Sequence, residues 1–373
     1  MQLPQKLLIS AFLAIALLCT LFAGLKPKGY RFRNDATWLQ QGGGIALGPI
    51  GIAYSRDSIK WIDLKPGDSG TTIELALCPK KDKTNGITEI VGIWDNAMPQ
   101  PLMISQWKSY LMISVRTSKS PARDREFDVD SALICGEKKL IQIVSTRSET
   151  TIFVNGVRKY HSLKTSGIIG PDLYGRLILG SSTIGDHQWS GEIYGIAMYR
   201  KAFSPGESAL RFREWDSTGR TVLPPPVRAA HFFAFNEKNG VVAQDHIVPD
   251  IKLQIPQRFH IIKKQVLVGP WDDFRWNRSY FADIAVNLFG LMPLGFFLSL
   301  FFTNVAKVNS RIKNSFLTIA ICFFVSLCIE LIQVYIPTRC SQLSDLLCNT
   351  IGGGLGGLPA VRLFGNYKSP RGR

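Results

Sequence analysis

The sequence predicts a multidomain membrane protein: an all-β sandwich held outside a bundle of four transmembrane helices. Three observations lead there. Four apolar stretches are each close to the ~20 residues that cross a bilayer as a helix. Between the first and second lies a long region of short alternating runs with turn signals, as a sandwich or barrel requires. Only 19% of the 373 residues are charged and 46% are hydrophobic, which excludes a disordered chain. The 33 glycines and 20 prolines follow no fixed period, which excludes a collagen-like one.

The first span is Leu7–Leu25 within an anchor of residues 1–30. Its apolar run exceeds the usual 7–15 residues of a signal peptide, and Lys6 is its only basic residue, so an uncleaved anchor is expected. The other spans are 284–303, carrying Pro293, then 315–336, then 343–361, the weakest, which carries five glycines. Together they make a helical membrane domain of residues 283–373.

The net charge of +16 does not indicate nucleic acid. Residues 26–282 scatter their basic residues among 25 acids, with no basic stripe. In the short loops the basic residues set orientation. Lys307, Arg311 and Lys313 separate the second and third spans; Arg362, Lys368, Arg371 and Arg373 follow the fourth. The expectation is a bacterial inner membrane protein with both termini cytoplasmic and residues 31–281 outside. Lys26, Lys28, Arg31 and Arg33 oppose this, but they open a long translocated domain, where the rule is weak.

Strands are expected at Thr71–Cys78, with Ile73, Leu75 and Leu77 on one face, and at 110–115, 140–145, 151–154, 176–179 and 192–199. Asn155-Gly156 suits a tight hairpin turn. Only 205–215 carries a helical period, and 118–125 reads as a polar loop. Several of these runs resemble the laminin-G/concanavalin A-like lectin and glucanase sandwich. They are Ile152–Gly156 (IFVNG), Arg176–Ser181 (RLILGS), Trp189–Tyr194 (WSGEIY) and Tyr199–Ser204 (YRKAFS). The resemblance covers about 31–256 and implies a concanavalin-like jelly roll. The segment Phe232–Asp245 resembles that family's opening strand yet lies near the end, implying a permuted or extended strand order.

Members of that family bind glycans or proteins, and some hydrolyse β-glucans with a Glu-x-Asp-x-(x)-Glu strand. Glu126-Phe127-Asp128-Val129-Asp130 supplies the first two acids but ends in Asp, so hydrolysis is disfavoured. Asp95, Asn96 and Asp186 lack calcium-ligand spacing and read as turn residues. Trp94, Trp107 and Trp189 offer stacking surfaces for sugars, but core filling is the favoured role. Cys78 and Cys135 lie in the exterior domain, where an oxidising compartment permits, without requiring, a bond. Residues 257–282 form a juxtamembrane linker whose Trp271, Phe274, Trp276, Tyr280 and Phe281, with Arg275 and Arg278, read as an interfacial belt.

Polar residues inside the spans carry the functional signal, because an ionisable group at membrane depth is costly. Asn287 stands four residues after Asp283. Ser326, Glu330 and Gln333 share a face of the third span, Arg339 follows in the turn, and Asp345 and Asn349 are four apart in the fourth. Counting at 1.5 Å per residue places them about 5–10 Å below one surface, on the side of the sandwich. A polar pocket of Asn287, Glu330, Gln333, Arg339, Asp345 and Asn349 is expected. The competing reading is a clamp in which Arg339 pairs with Glu330 or Asp345 and the Gly352/Gly356 and Gly353/Gly357 pairs serve close packing.

These residues also resemble a family motif set. Asn287-Leu288-Phe289, Pro293–Phe296, Ser326 with Ile329–Gln333, Arg339, and Asp345–Gly352 are similar to the VanZ-like membrane family, over 283–361 plus the first span. Residue 291 is Leu where the pattern often has Phe. The resemblance implies a multi-pass cell-envelope protein, linked in the founding member to low-level teicoplanin resistance, with no settled enzymatic activity. The combined reading is recognition. The sandwich binds envelope or exported polysaccharide, or another envelope protein as a scaffold, and the bundle binds a membrane lipid or lipid-linked glycan. The alternative is an enzyme using Glu330 and Asp345 on a lipid-linked sugar. No catalytic residue, metal site or cofactor is assigned.

Overall fold

The computed structural model describes residues 3–26, 33–81, 86–95, 101–117, 120–163, 173–185, 187–217, 229–273, 276, 278–336 and 339–364. Asn96, Asp186, Phe274, Arg275, Lys28, Arg31, Lys368, Arg371 and Arg373 lie outside the described residues. The chain divides into two compact units: Arg31–Ile262, and Met1–Tyr30 together with Lys263–Arg373.

α1 (Leu3–Leu25) is apolar from Leu7 onward apart from Ser10 and Thr20. The unit that follows is a β-sandwich. In chain order its strands are β1 (Ala36–Trp38), β2 (Ile45–Leu47), β3 (Ala53–Ser55), β4 (Ile59–Lys60), β5 (Thr71–Pro79), β6 (Thr88–Trp94), β7 (Leu102–Trp107), β8 (Tyr110–Thr117), β9 (Ser120–Val129), β10 (Lys139–Ser145), β11 (Thr150–Val154), β12 (Val157–Ser162), β13 (Tyr174–Leu179), β14 (Gly191–Tyr199), β15 (Ala229–Phe233), β16 (Val242–Gln244) and β17 (Lys252–Gln254). One sheet runs β1-β2-β14-β5-β10-β11-β12, with β15 on β14; the other runs β16-β17-β3-β13-β6-β7-β8-β9, with β4 on β13. The region that resembles an opening strand thus gives one strand to each sheet, β15 and β16.

Alternation does the folding here. Ile73, Leu75 and Leu77 of β5 enter the core between the sheets, opposite Ile141 and Ile143 of β10 and Ile104 and Ile113 of the other sheet. Each such side chain contributes about 1.5–3 kcal/mol on burial. The alternate residues of β5 are buried as well, because α2 (Pro205–Ser217) covers the outer face. Ala76, Cys78, Leu140, Tyr194 and Trp215 pack there. Arg211 of α2 reaches the fully buried Glu74 at 2.9 Å, and Glu74 also accepts from Tyr199 and Gln142. Burial first, then the Glu74 carboxylate, push the Tyr199 hydroxyl well above its ordinary pKa. Asn155 and Gly156 both take positive φ, as a two-residue turn between β11 and β12 demands.

One expectation changes in this unit. The polar stretch before Glu126 is no loop: Ser120–Val129 forms the edge strand β9, paired with β8. An edge position tolerates charge where an inner strand would not. Cys78 and Cys135 are both free thiols, Cys78 buried and Cys135 exposed. Burial raises the Cys78 thiol pKa.

The second unit adds to α1 a single turn, α3 (Pro270–Asp273), and four helices: α4 (Arg278–Gly290), α5 (Met292–Asn304), α6 (Arg311–Gln333) and α7 (Leu343–Phe364). Among the described residues three stretches are long and apolar enough to cross a membrane by length and composition: Pro4–Leu25, Tyr280–Asn304 and Arg311–Gln333. The expected second span is broken at Leu291, with Pro293 in the first turn of α5, where its missing N–H costs no helical bond. The expected fourth span exists as the helix α7 but is not among the three. Asp345, Asn349, Thr350 and five glycines lower its apolarity.

Those glycines set the packing. A Cβ at Gly352 would overlap the Leu288 carbonyl oxygen, one at Gly356 that of Met292, and one at Gly353 the Cys322 sulfur. α7 therefore lies backbone-close against α4, α5 and α6, as small residues permit. Phe12 of α1 stacks on Phe297 of α5 at 5.4 Å, and Leu13, Ala16 and Leu17 pack on Leu291, Leu294, Leu298 and Cys322. A buried knot fastens α5 to α6: Asn314 donates to Thr303 Oγ1 at 2.8 Å and accepts from Ser299 at 3.1 Å and Thr318 at 3.3 Å.

Candidate functional site: a polar cavity in the helical bundle

Asn287, Glu330, Gln333, Arg339, Asp345 and Asn349 all line one cavity of ≈ 460 Å³ in the helical unit. α4 presents Asp283 and Asn287 from one face; α6 brings Glu330 and Gln333 at its last turn; α7 brings Asp345 and Asn349 from its first two turns. The spacings of three and four residues are what put each pair on one helix face. α1 closes the cavity with Thr20, Ala23 and Gly24.

Glu330 is 1% exposed, the deepest of the carboxylates that line the cavity. A carboxylate so buried needs donors. It receives one from the backbone of Gln342, whose N–H lies 2.8 Å from Oε2. That N–H belongs to the loop between α6 and α7, and the loop is held in turn by the linker before α3. Val268 N–H donates to Ser341 O at 2.8 Å, Leu343 N–H donates to Val268 O at 2.9 Å, and Leu267 N–H donates to Ser341 Oγ at 3.1 Å. Val268 and Gln342 form a parallel bridge.

Arg339 departs from expectation. Its hydrogen bonds run to main-chain carbonyls at the end of α1, to Lys26 O at 3.1 Å and Ala23 O at 3.3 Å, rather than to Glu330 or Asp345. Gln333 donates to Gly24 O at 2.7 Å. The carbonyls at a helix C-terminus lack intrahelical partners and carry partial negative charge, so a cation and an amide cap them well. Asn349 donates to Ser326 Oγ at 3.0 Å, joining α7 to α6. Part of the predicted set thus clamps the bundle while also lining the cavity.

Sequence reasoning missed Asp283 as a lining residue, although its spacing from Asn287 was visible, and missed the contribution of α1, whose carbonyls leave no side-chain signature. It also missed the Asn314 knot at the opposite end of the bundle; Asn314 with Thr318, and Ser299 with Thr303, were the available i,i+4 signals.

On the sandwich, Trp94 and Trp189 are buried, and Trp189 donates to Gln106 Oε1 at 2.6 Å. Trp107 stands 39% exposed beside Tyr110, with the Lys108 ammonium 4.6 Å over its ring. Glu126 and Asp128 point outward from β9 while Phe127 and Val129 point into the core. Among the described residues no group of three or more His, Cys, Asp or Glu is placed to hold a metal ion.

No curated protein matches the chain. Solved structures similar to it include a candidate carbohydrate binding protein from Bacteroides ovatus ATCC 8483, at 12% identity and TM-score 0.38, over 60% of this chain and 58% of that one. The binding domain of botulinum neurotoxin serotype G matches at 12% identity and TM-score 0.39, over 50% of this chain and 46% of that one. That of serotype D/C VPI 5993 matches at 10% identity and TM-score 0.38, over 49% and 46%. The chain spans about half the length of the solved structures it matches. The helical part is more specific: residues 229–364, from β15 to the end of α7 and so well upstream of the motifs at 283–361, match the VanZ/LLP1 family.

Proposed function

We propose that the protein is a recognition component of a cell envelope. Its bundle receives the polar head group of a membrane lipid or lipid-linked glycan, and its sandwich, outside the cytoplasm, binds polysaccharide. The observation that carries the reading is the convergence of polar groups from α4, α6 and α7 on one cavity, with the buried Glu330 held ready by Gln342. Polar side chains in apolar helices either pair off or line a polar space, and this set does both. On this reading α7 is the fourth span, stabilised by the helices around it. The exposed Trp107 and Tyr110 supply the kind of aromatic surface on which a sugar ring stacks, which supports glycan binding by the sandwich.

Native mass spectrometry of the full chain released from mild detergent tests the bundle. A retained lipid or lipid-linked glycan, lost in a folded Glu330→Gln/Asp345→Asn protein, supports the cavity. A double variant with normal melting and full cellular phenotype leaves only the clamp. Orientation is tested separately: a phosphatase fusion at Val308 is expected to be inactive, and activity there reverses the topology.

A further inference from the structure

The balance of charge and donors around the cavity narrows what it can hold. Three carboxylates, Asp283, Glu330 and Asp345, line it against one cation, Arg339. That cation is directed elsewhere. One of its terminal nitrogens donates to Ala23 O and Lys26 O, and its Nε is buried without a hydrogen-bond partner among the described residues. The side-chain amides of Gln333 and Asn349 likewise donate to Gly24 O and Ser326 Oγ. Carboxylates thus outnumber the cation of the lining by three to one, and several of its donors are engaged within the bundle.

The backbone adds to the same sign. α6 ends at Gln333 beside the cavity, and a helix C-terminus carries roughly half a negative charge, whereas the end of α1 is already capped by Arg339 and Gln333. α7 starts there with a positive end, but Asp345 sits in its first turn and offsets it. A phosphate entering this space would meet like charge from three carboxylates and the end of α6, against a single guanidinium that already donates to α1. An ammonium meets opposite charge from each of them and brings three donors.

We propose that the cavity selects a positively charged, donor-bearing group carried on a lipid, a primary ammonium, and excludes a bare phosphate. This rests on the cavity reading above and states its substrate class.

The test uses the full-length protein in an uncharged detergent, incubated separately with dodecylammonium, dodecyl phosphate and dodecanol, with bound amphiphile counted by native mass spectrometry. Dodecylammonium is expected to be retained at least about tenfold over dodecyl phosphate, and to lose about tenfold in Asp345→Asn and in Glu330→Gln. Should Glu330→Gln fail to fold, Asp345→Asn and Asp283→Asn carry the comparison, with melting temperature as the check on each. Phosphatidylethanolamine and dodecyl glucosaminide, run as further arms, separate a phospholipid source from an amino-sugar source, and preferential retention of either sustains the assignment. Preferential retention of dodecyl phosphate, abolished by Arg339→Gln, overturns the ammonium assignment and leaves the cavity reading standing. No retention, or retention of all three that no cavity substitution alters, overturns both.

Discussion

Gln333 donates its side-chain amide to the carbonyl oxygen of Gly24 at 2.7 Å, across a sequence separation of 309 residues. The end of α1 is thereby built into the wall of the cavity, and Arg339 reinforces it through Ala23 and Lys26. Replacing Gln333 by Leu removes one interhelical hydrogen bond, and a cost of about 0.6–1.7 kcal/mol is expected. Arg339→Gln is expected to cost more, because it removes both carbonyl contacts and the charge that complements the helix end. Thermal melting of the full chain in detergent gives the order; equal melting of both variants and the native protein removes α1 from the clamp.

Gly352 and Gly356 face the carbonyls of Leu288 and Met292 with no room for a methyl group. Alanine at either position forces α7 away from α4 and α5, and a loss of about 1–3 kcal/mol is expected, as for other overpacked contacts. Alanine at Gly354, which meets only the flexible Ile319 side chain, is expected to be milder. Melting of the three variants compares them, and a Gly354 variant as damaged as the other two contradicts the geometry.

The sandwich, Arg31–Ile262, is expected to fold alone as a β-rich domain, with circular dichroism as the first check. Within it Arg211→Met leaves the Glu74 carboxylate buried without its cation, and a loss of about 3–5 kcal/mol is expected. Adding Glu74→Gln should restore part of that loss in denaturant titrations. A double variant weaker than Arg211→Met alone disproves an unpaired-charge penalty.

Glu207 closes a capping box at the start of α2. Its carboxylate accepts from Ser204 N–H at 2.9 Å, its own N–H donates to Ser204 Oγ at 3.3 Å, and it pairs with Lys201. The Lys201 hydrogen bond first, then the Ser204 backbone, hold its pKa below the usual carboxylate value. A folded pKa below the unfolded one means stability present above the unfolded pKa and lost as pH falls through the folded one. Denaturant midpoints of the sandwich from pH 7 to pH 3 should therefore fall less steeply in Glu207→Gln than in the native domain. Parallel slopes would sink this assignment.

Much of this architecture was legible because its causes are local. Ile73, Leu75 and Leu77 alternate, so β5 and its facing side could be read from eight residues. Asn155-Gly156 states its own turn. Glu330 with Gln333, and Asp345 with Asn349, declare a shared face by spacing alone. What stayed hidden depends on distant partners. Residues 118–125 look like a loop because they are polar without alternation, and only the ladder with β8 carries strand β9 back to Ser120. Arg339 offered two carboxylates as obvious partners, yet it binds carbonyls of α1, which every residue possesses and no sequence pattern marks. Leu291 lies inside an unbroken apolar run, so the break between α4 and α5 depends on Pro293 two residues on.

The glycines of α7 have a consequence for biogenesis. The residues that let its backbone touch α4 and α5 also lower its apolarity, together with Asp345, Asn349 and Thr350. On the four-span reading, α7 is the span least able to enter the bilayer by itself. We expect it to enter last, against the surface that α4, α5 and α6 present, so that the cavity is completed when Asp345 and Asn349 arrive opposite Glu330.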